Sequence, residues 1–186
     1  MEYERLQNAI VFRNAFTDLS EFIANQKEKP LKDSGVINSE IKGYNKDFRY
    51  SKQVTVDTMN PVVRRVRNLC REGNEKFFKI NISAYSIENH FVEYEVGGKF
   101  RPHSDIIWPT EVDNLNTKPT RKLTSVTLLN DDFTGGKLAL WYTGKRYSFS
   151  FNAGDMILFP SFIEHTVDPV ETGIRYSLVS WSYGEF

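Results

Sequence analysis

Two amphipathic helical stretches followed by roughly eight short strands predict a mainly β fold with N-terminal helices, a double-sheet jelly roll whose helices pack on one sheet. Two observations carry this. Helical periodicity is confined to about residues 1–75, and from Lys76 onward apolar and polar residues alternate with a period of two. Glycine-containing turns then cut the alternating part into short runs, at Gly97-Gly98, Gly135-Gly136, Thr143-Gly144, Asn152-Ala153-Gly154 and Thr172-Gly173.

The elements follow in order. Asp18 and Glu21 form a capping pair around Leu19, Phe22 and Ile23, an i, i+3, i+4 apolar stripe. Residues 30–58 are polar and poorly periodic, the pattern of a functional flap or a mobile segment. Asn60-Pro61 opens a second helix with proline at its first position, and Val62, Val63, Val66, Leu69 and Cys70 carry it to Gly73. The basic run Arg64, Arg65, Arg67 on that helix reads as a solvated face rather than a nucleic-acid contact. Phe78, Ile80, Ile82 and Ala84 then alternate with polar neighbours as a first core strand. Further strands are expected near 90–96, 100–107, 123–129, 137–142, 146–151, 155–159, 163–169 and 174–182.

Composition narrows the function classes. A hydrophobic content of 40% over 186 residues describes one folded domain, 1–186, and argues against disorder. Lys plus Arg and Asp plus Glu are 24 each, so no net field draws the chain to nucleic acid or an anionic membrane. The single cysteine, Cys70, excludes an intrachain disulfide and fits a packed helical position. With no signal or membrane-spanning run, a soluble cytoplasmic setting is the expectation.

The chemistry concentrates late in the chain. His103 and Asp105 stand two apart, so on a strand both face one side while Ser104 faces away. With His165 from a separate strand they have the composition of a two-histidine, one-carboxylate facial triad for Fe(II), which leaves three coordination positions open. Of the three histidines, His90 reads as a hydrogen-bonded structural residue. Arg175, Ser177, Val179 and Trp181 share one strand face, where a guanidinium fork suits a carboxylate and a hydroxyl two residues on adds a bond. Asp155 reads as turn chemistry and Asp131-Asp132 as loop. Trp108, opening a polar loop through Lys122, walls the substrate entrance or packs in the core.

Tyr94 through Asp105 (Tyr-Glu-Val-Gly-Gly-Lys-Phe-Arg-Pro-His-Ser-Asp) resembles the Tyr…Gly…Phe…Pro-His-x-Asp segment of the prolyl 4-hydroxylase-like Fe(II)/2-oxoglutarate dioxygenases. Leu129-Asn130 with Gly135-Gly136-Lys137-Leu138 resembles that family's central segment. Gly154-Asp155, His165-Thr166-Val167-Asp168-Pro169-Val170 and Gly173-Ile174-Arg175-Tyr176-Ser177 resemble its distal block. Looser matches precede these at Ala15-Phe16-Thr17-Asp18 and Arg49-Tyr50-Ser51. The resemblance implies the cupin-like double-stranded β-helix. It implies His103, Asp105 and His165 as catalytic metal ligands, Arg175 on the far carboxylate of 2-oxoglutarate, and Tyr94 and Trp181 beside it. Where relatives carry a tyrosine before the Leu-Asn pair this chain has Thr127 and Leu128, so that share falls to Tyr94, Thr127 or water.

The implied cofactors are Fe(II), the co-substrate 2-oxoglutarate and dioxygen, with ascorbate as a candidate reductant. The implied reaction is C–H hydroxylation with release of succinate and carbon dioxide. A proline-containing peptide or protein is the first substrate expected. The alternatives are the same chemistry on another side chain, a free amino acid or a nucleobase, and a metal-binding module without turnover.

Overall fold

The computed structural model describes residues 2–37, 42–43, 45–106 and 119–185. In chain order these form β1 (Tyr3–Leu6), β2 (Ala9–Phe12), α1 (Ser20–Lys27), β3 (Lys32–Asp33), β4 (Val36–Ile37), β5 (Lys42–Gly43), β6 (Arg49–Tyr50), β7 (Lys52–Thr55) and α2 (Pro61–Gly73). Then follow β8 (Ala84–Tyr94), β9 (Lys99–His103), β10 (Thr120–Leu128), β11 (Phe133–Gly135), β12 (Leu138–Tyr142) and β13 (Lys145–Ser148). The last four are β14 (Met156–Pro160), β15 (Glu164–Val167), β16 (Val170–Gly173) and β17 (Arg175–Gly184).

The strands build a major sheet in the order β1-β2-β14-β10-β17-β8-β7-β3 and a minor sheet in the order β13-β12-β15-β9-β6. The expected jelly roll with helices on one sheet is what they form. One apolar cluster lies between the helices and the major sheet, where Phe22, Val63, Val66 and Leu69 meet Ile10, Leu123, Met156, Leu158 and Leu178. A second joins Val11, Val92, Val126, Leu138, Ile157, Phe159 and Val167. Alternate residues of β2 and β14 therefore enter different clusters, and Met156–Phe159 is apolar at every position because both its faces are covered.

α2 begins as read from the sequence. The Asn60 side chain accepts from the Val62 amide at 2.9 Å, and Pro61 occupies the first helical position. Cys70 lies buried in this helix as a free thiol. Two of the basic residues are spent on backbone carbonyls: Arg65 Nε donates to Ala15 O and Arg67 donates to Thr58 O and Tyr85 O. At α1 the N-cap position is Leu19, without a side-chain cap bond; Asp18, one residue earlier, accepts through Oδ1 from the Ser20 amide at 3.1 Å and hydroxyl at 2.7 Å. No hydrogen bond among the described residues joins it to Glu21.

Three expectations need correction. Residues 78–83 are not a strand: α2 runs into a π-helical turn, Asn74–Phe78, and Lys79 takes φ 54°. The Asn74 side chain both donates to Ile80 O and accepts from Ile80 N, replacing ladder bonds, and Phe78, Ile80 and Ile82 pack on the helix-side cluster instead. The N-terminal hairpin β1–β2 was not expected. It completes the major sheet through β14 and is pinned by Asp155, whose carboxylate accepts from Arg13 Nη1 at 2.7 Å and the Asn14 amide at 2.9 Å. Segment 30–58, where described, is neither structureless nor isolated: β7 pairs with β8 in one sheet and β6 with β9 in the other. Its residues 38–41 and 44 lie outside the described residues, as does Trp108.

Candidate active site and metal centre

The two sheets bring the triad together by register. His103 at the end of β9 stands directly opposite His165 in β15, with ring centroids 4.2 Å apart. Strand β9 stops at His103, so Asp105 reaches the site from just past the strand, held by its amide donating to Ser161 O at 2.9 Å. One ligand atom from each of the three residues lies within 4.8 Å of the others.

Their other atoms are committed elsewhere. His103 Nδ1 lies 2.7 Å from Arg101 O and His165 Nδ1 3.1 Å from Ile163 O, which places the proton on Nδ1 and leaves each Nε2 lone pair for a metal. Asp105 Oδ2 accepts from Thr124 Oγ1 and from Trp181 Nε1, each at 2.9 Å. Burial and the neighbouring His165 push the His103 pKa down to about 3, which keeps its ring neutral. Burial alone would raise the Asp105 carboxyl, but His165, His103, Arg121 and the Trp181 bond bring it down to about 2. Two imidazole Nε2 atoms beside an ionised carboxylate are a donor set that suits a borderline divalent cation.

The same cavity, of about 190 Å³, contains Arg175, Ser177, Tyr94 and Trp181. Arg175 is 1% exposed, yet only Nη1 has a partner, Ser177 Oγ at 3.0 Å. Nε and Nη2 are buried without one, a vacant donor pair shaped for a carboxylate. Tyr94 lies beneath the guanidinium, its ring centroid 5.3 Å from Arg175 Cζ. Gly136 explains the Gly-Gly-x-Leu spacing: at φ +56° it passes so close that an added Cβ would meet Arg175 Cδ at 3.0 Å. These orphaned donors fit the distal carboxylate of a 2-oxo diacid, and the triad fits the metal that would take its other end.

The roles expected of single residues divide. Ser177 accepts from the arginine, and Trp181 donates to the Asp105 carboxylate rather than merely packing. Thr127 does not line the cavity. On β10, Thr124 and Val126 face the cavity, whereas Leu123 and Leu129 belong to the helix-side cluster, so alternation turns Thr127 toward the helices. The position facing inward is Leu128, which lines a neighbouring pocket with Arg175. His90 lines the cavity edge-on to Trp181 at 5.2 Å but lies outside the metal cluster.

Sequence reading missed Thr124, Arg121 and Glu88. Thr124 was findable by parity with the inward face of β10. Arg121 was not, because a bulge between Arg121 and Leu123 shifts the alternation and turns it into the cavity. There it stacks on Trp181, Cζ 3.9 Å from the ring centroid, and forms a forked pair with Glu88 at 2.6 and 3.1 Å.

Residues 89–183 match the 2OG-Fe(II) oxygenase superfamily, a span that includes the triad and Arg175. The chain belongs to that superfamily. Among relatives of this oxygenase is a PKHD-type hydroxylase of Psychrobacter sp. (strain PRwf-1), 27% identical over 126 residues, or 66% of this chain and 49% of that protein. The oxygenase chain thus spans about half the length of that relative. In solved structures the fold is similar to a Pseudomonas putida prolyl-4-hydroxylase, with TM-score 0.67 and 19% identity over 90% of this chain and 85% of that one. It is similar also to a prolyl hydroxylase from Trichoplax adhaerens in complex with a hypoxia inducible factor oxygen degradation domain peptide fragment. There the TM-score is 0.66 and the identity 15%, over 95% of this chain and 83% of the other.

Proposed function

We propose that this oxygenase is a 2-oxoglutarate- and Fe(II)-dependent hydroxylase whose substrate is a proline-containing peptide or protein, hydroxylated at the proline 4-position. The observation that carries the reading is the meeting, in one cavity, of the His103–Asp105–His165 cluster with a buried guanidinium that has two unused donors. His103 Nε2, His165 Nε2 and Asp105 would hold the iron. Arg175, braced by Ser177, would bind the far carboxylate of 2-oxoglutarate, with Tyr94 closing the floor. When bound, iron with 2-oxoglutarate and dioxygen supplies the oxidising chemistry, in which succinate and carbon dioxide leave and a C–H hydrogen is replaced by hydroxyl.

The chain's own groups set the geometry. Thr124 and Trp181 fix the Asp105 carboxylate, and the backbone carbonyls of Arg101 and Ile163 fix the imidazole tautomers. Gly35, Phe48, Arg49 and Gln53 line the cavity, which supports a role for these residues in covering a peptide and excluding water. Proline is supported by the names of the two solved structures, a prolyl-4-hydroxylase and a prolyl hydroxylase, and a peptide substrate by the peptide in complex with the Trichoplax adhaerens protein.

The test measures succinate release and peptide mass together, with Fe(II), 2-oxoglutarate and dioxygen supplied. A gain of one oxygen on a proline, matched by succinate, is the expected result. Turnover of a different substrate class with no proline peptide modified overturns the prolyl assignment alone. Absence of succinate and of substrate oxidation under all conditions leaves a metal-binding module.

A further inference from the structure

The cavity wall also contains Arg49, whose guanidinium has no ion-pair partner among the described residues. Arg49 is half-buried and held by three neutral acceptors: Ser51 Oγ at 3.0 Å from Nε, Gln53 Oε1 at 3.0 Å from Nη2 and Gly35 O at 3.3 Å from Nη1. Among the described residues no carboxylate pairs with it. The contrast is within the same cavity, where Arg121 is matched by Glu88 and the charge of that pair cancels. Burial disfavours the Arg49 cation, and the Tyr94 and Asp105 groups offset this only partly, leaving its pKa lowered. A guanidinium has five N–H donors; the bonds to Ser51, Gln53 and Gly35 and a further one to Tyr94 use four and leave one for a ligand.

Its position relative to the metal site is also set. Arg49 Cζ lies 4.5 Å from the centroid of Phe100, whose other neighbour is the His103 ring, stacked at 3.4 Å between centroids. One aromatic ring therefore separates the cation from a metal-ligating residue. An extended peptide crosses that span in about two or three residues, at ~3.3 Å each.

Resting on the peptide-hydroxylase reading above, we propose that Arg49 is an anion subsite, and that the substrate carries a carboxylate side chain within about three residues of the hydroxylated position. Such a carboxylate would supply the missing counter-charge in a pocket that is partly closed to water, where a charge-assisted hydrogen bond is strongest. Basic residues at the same place would meet like charge.

The test is binding to the full chain loaded with Mn(II) and an inert 2-oxoglutarate analogue. Matched peptides carry Asp, Asn or Lys at two and three residues either side of a central proline. The Asp peptide should bind wild type roughly tenfold more tightly than the Asn peptide, with Lys weakest, and the gap should narrow at high salt. Arg49→Gln should abolish the gap, Arg49→Lys should keep its order with a smaller size, and Arg49→Glu should reverse it in favour of Lys. Equal binding of the Asp and Asn peptides to wild type, which needs no variant, overturns the inference and leaves prolyl hydroxylation standing if those peptides are turned over. An undiminished gap in a folded Arg49→Gln protein overturns it as well. If no peptide binds at any flank, the peptide reading itself fails, and this inference with it.

Discussion

Replacing Arg175 by methionine should weaken 2-oxoglutarate binding without weakening the fold. The guanidinium is 1% exposed, donates to Ser177, and has two further buried donors without partners. In the absence of co-substrate this is an uncompensated buried cation, and burial holds its pKa below the usual arginine value. Methionine keeps much of the apolar stem while removing a desolvation cost of several kcal/mol against one charged hydrogen bond of about 1.5–3 kcal/mol. The ligand-free stability should therefore be unchanged or higher by about 1–3 kcal/mol, a Tm rise of up to roughly 10 °C. Losing a forked charge-assisted contact should at the same time cost ~2–4 kcal/mol of co-substrate binding, or roughly 30- to 1,000-fold. The assay is thermal unfolding of the Mn(II)-loaded protein across a 2-oxoglutarate titration, because a ligand specific to the folded state stabilises it by RT ln(1 + L/Kd), with L the free ligand concentration, and so raises Tm with concentration. Wild type should shift and Arg175→Met should not, from an equal or higher starting point. A large fall in ligand-free Tm together with an intact 2-oxoglutarate shift would refute the reasoning, since it would make Arg175 a structural residue.

Three further predictions follow from the same geometry. Anaerobic titration should give one metal per chain, with affinity sharply reduced in His165→Ala and nearly intact in His90→Ala; equal effects would dissolve the distinction between cluster and cavity wall. Thr127→Val should change stability by less than ~1 kcal/mol or raise it, because the hydroxyl is buried without a partner, and should leave half-saturation by 2-oxoglutarate unchanged. Glu88 is pushed up by burial, but Arg121 and Tyr183 more than offset this and hold its carboxyl below the usual range. A depressed folded-state pKa means its stabilisation is present above the ordinary carboxylate value of about 4.3 and is lost as pH falls below it. Glu88→Gln should accordingly flatten the acid limb of a stability–pH profile, and an unaltered limb would show that the pair contributes nothing.

What was legible in the sequence depended on periodicity surviving into three dimensions. The partition of β17 into Arg175, Ser177 and Trp181 on one face and Tyr176 and Leu178 on the other held, because that strand is regular through this stretch and covered on both sides. The start of α2 held for a comparable reason, since Asn60-Pro61 is a local signal whose effect needs no tertiary partner; Gly73 did not stop the helix, because it stays right-handed and the chain continues into Asn74–Phe78. The misreadings lie where a side chain or a bulge overrides the alternation. Asn74 supplies the backbone bonds of Ile80 and so dissolves a strand that the apolar pattern announced. The bulge beside Arg121 reverses its side, which hid a cavity arginine among solvent-facing candidates. Thr127 was misplaced for a simpler reason, since the resembled family's tyrosine fell between two residues and only register distinguishes Leu128 as the inward one. The β1–β2 hairpin gave no distinctive signal, because four-residue strands are shorter than a period can establish; its anchor, Asp155, lies 142 residues from Arg13.

The two faces of the major sheet connect folding to chemistry through register. β10 and β17 pair with Thr124 opposite Trp181, Val126 opposite Val179 and Leu128 opposite Ser177, all on the cavity side. Their alternate residues, Leu123 and Leu178 among them, are buried under α1 and α2. A slip of one residue between sheet and helices would exchange these sets, moving Thr124 and Arg175 under the helices and apolar side chains toward the metal ligands. The cost of such a slip is the burial of a cation and several hydroxyls against Val63, Val66 and Leu69, far above the few kcal/mol that separate alternative strand pairings. The helix-side core, remote from every reacting group, thus specifies which residues face the cavity. The cavity residues can in turn be polar, charged and incompletely satisfied, because the register that holds them does not depend on their own interactions.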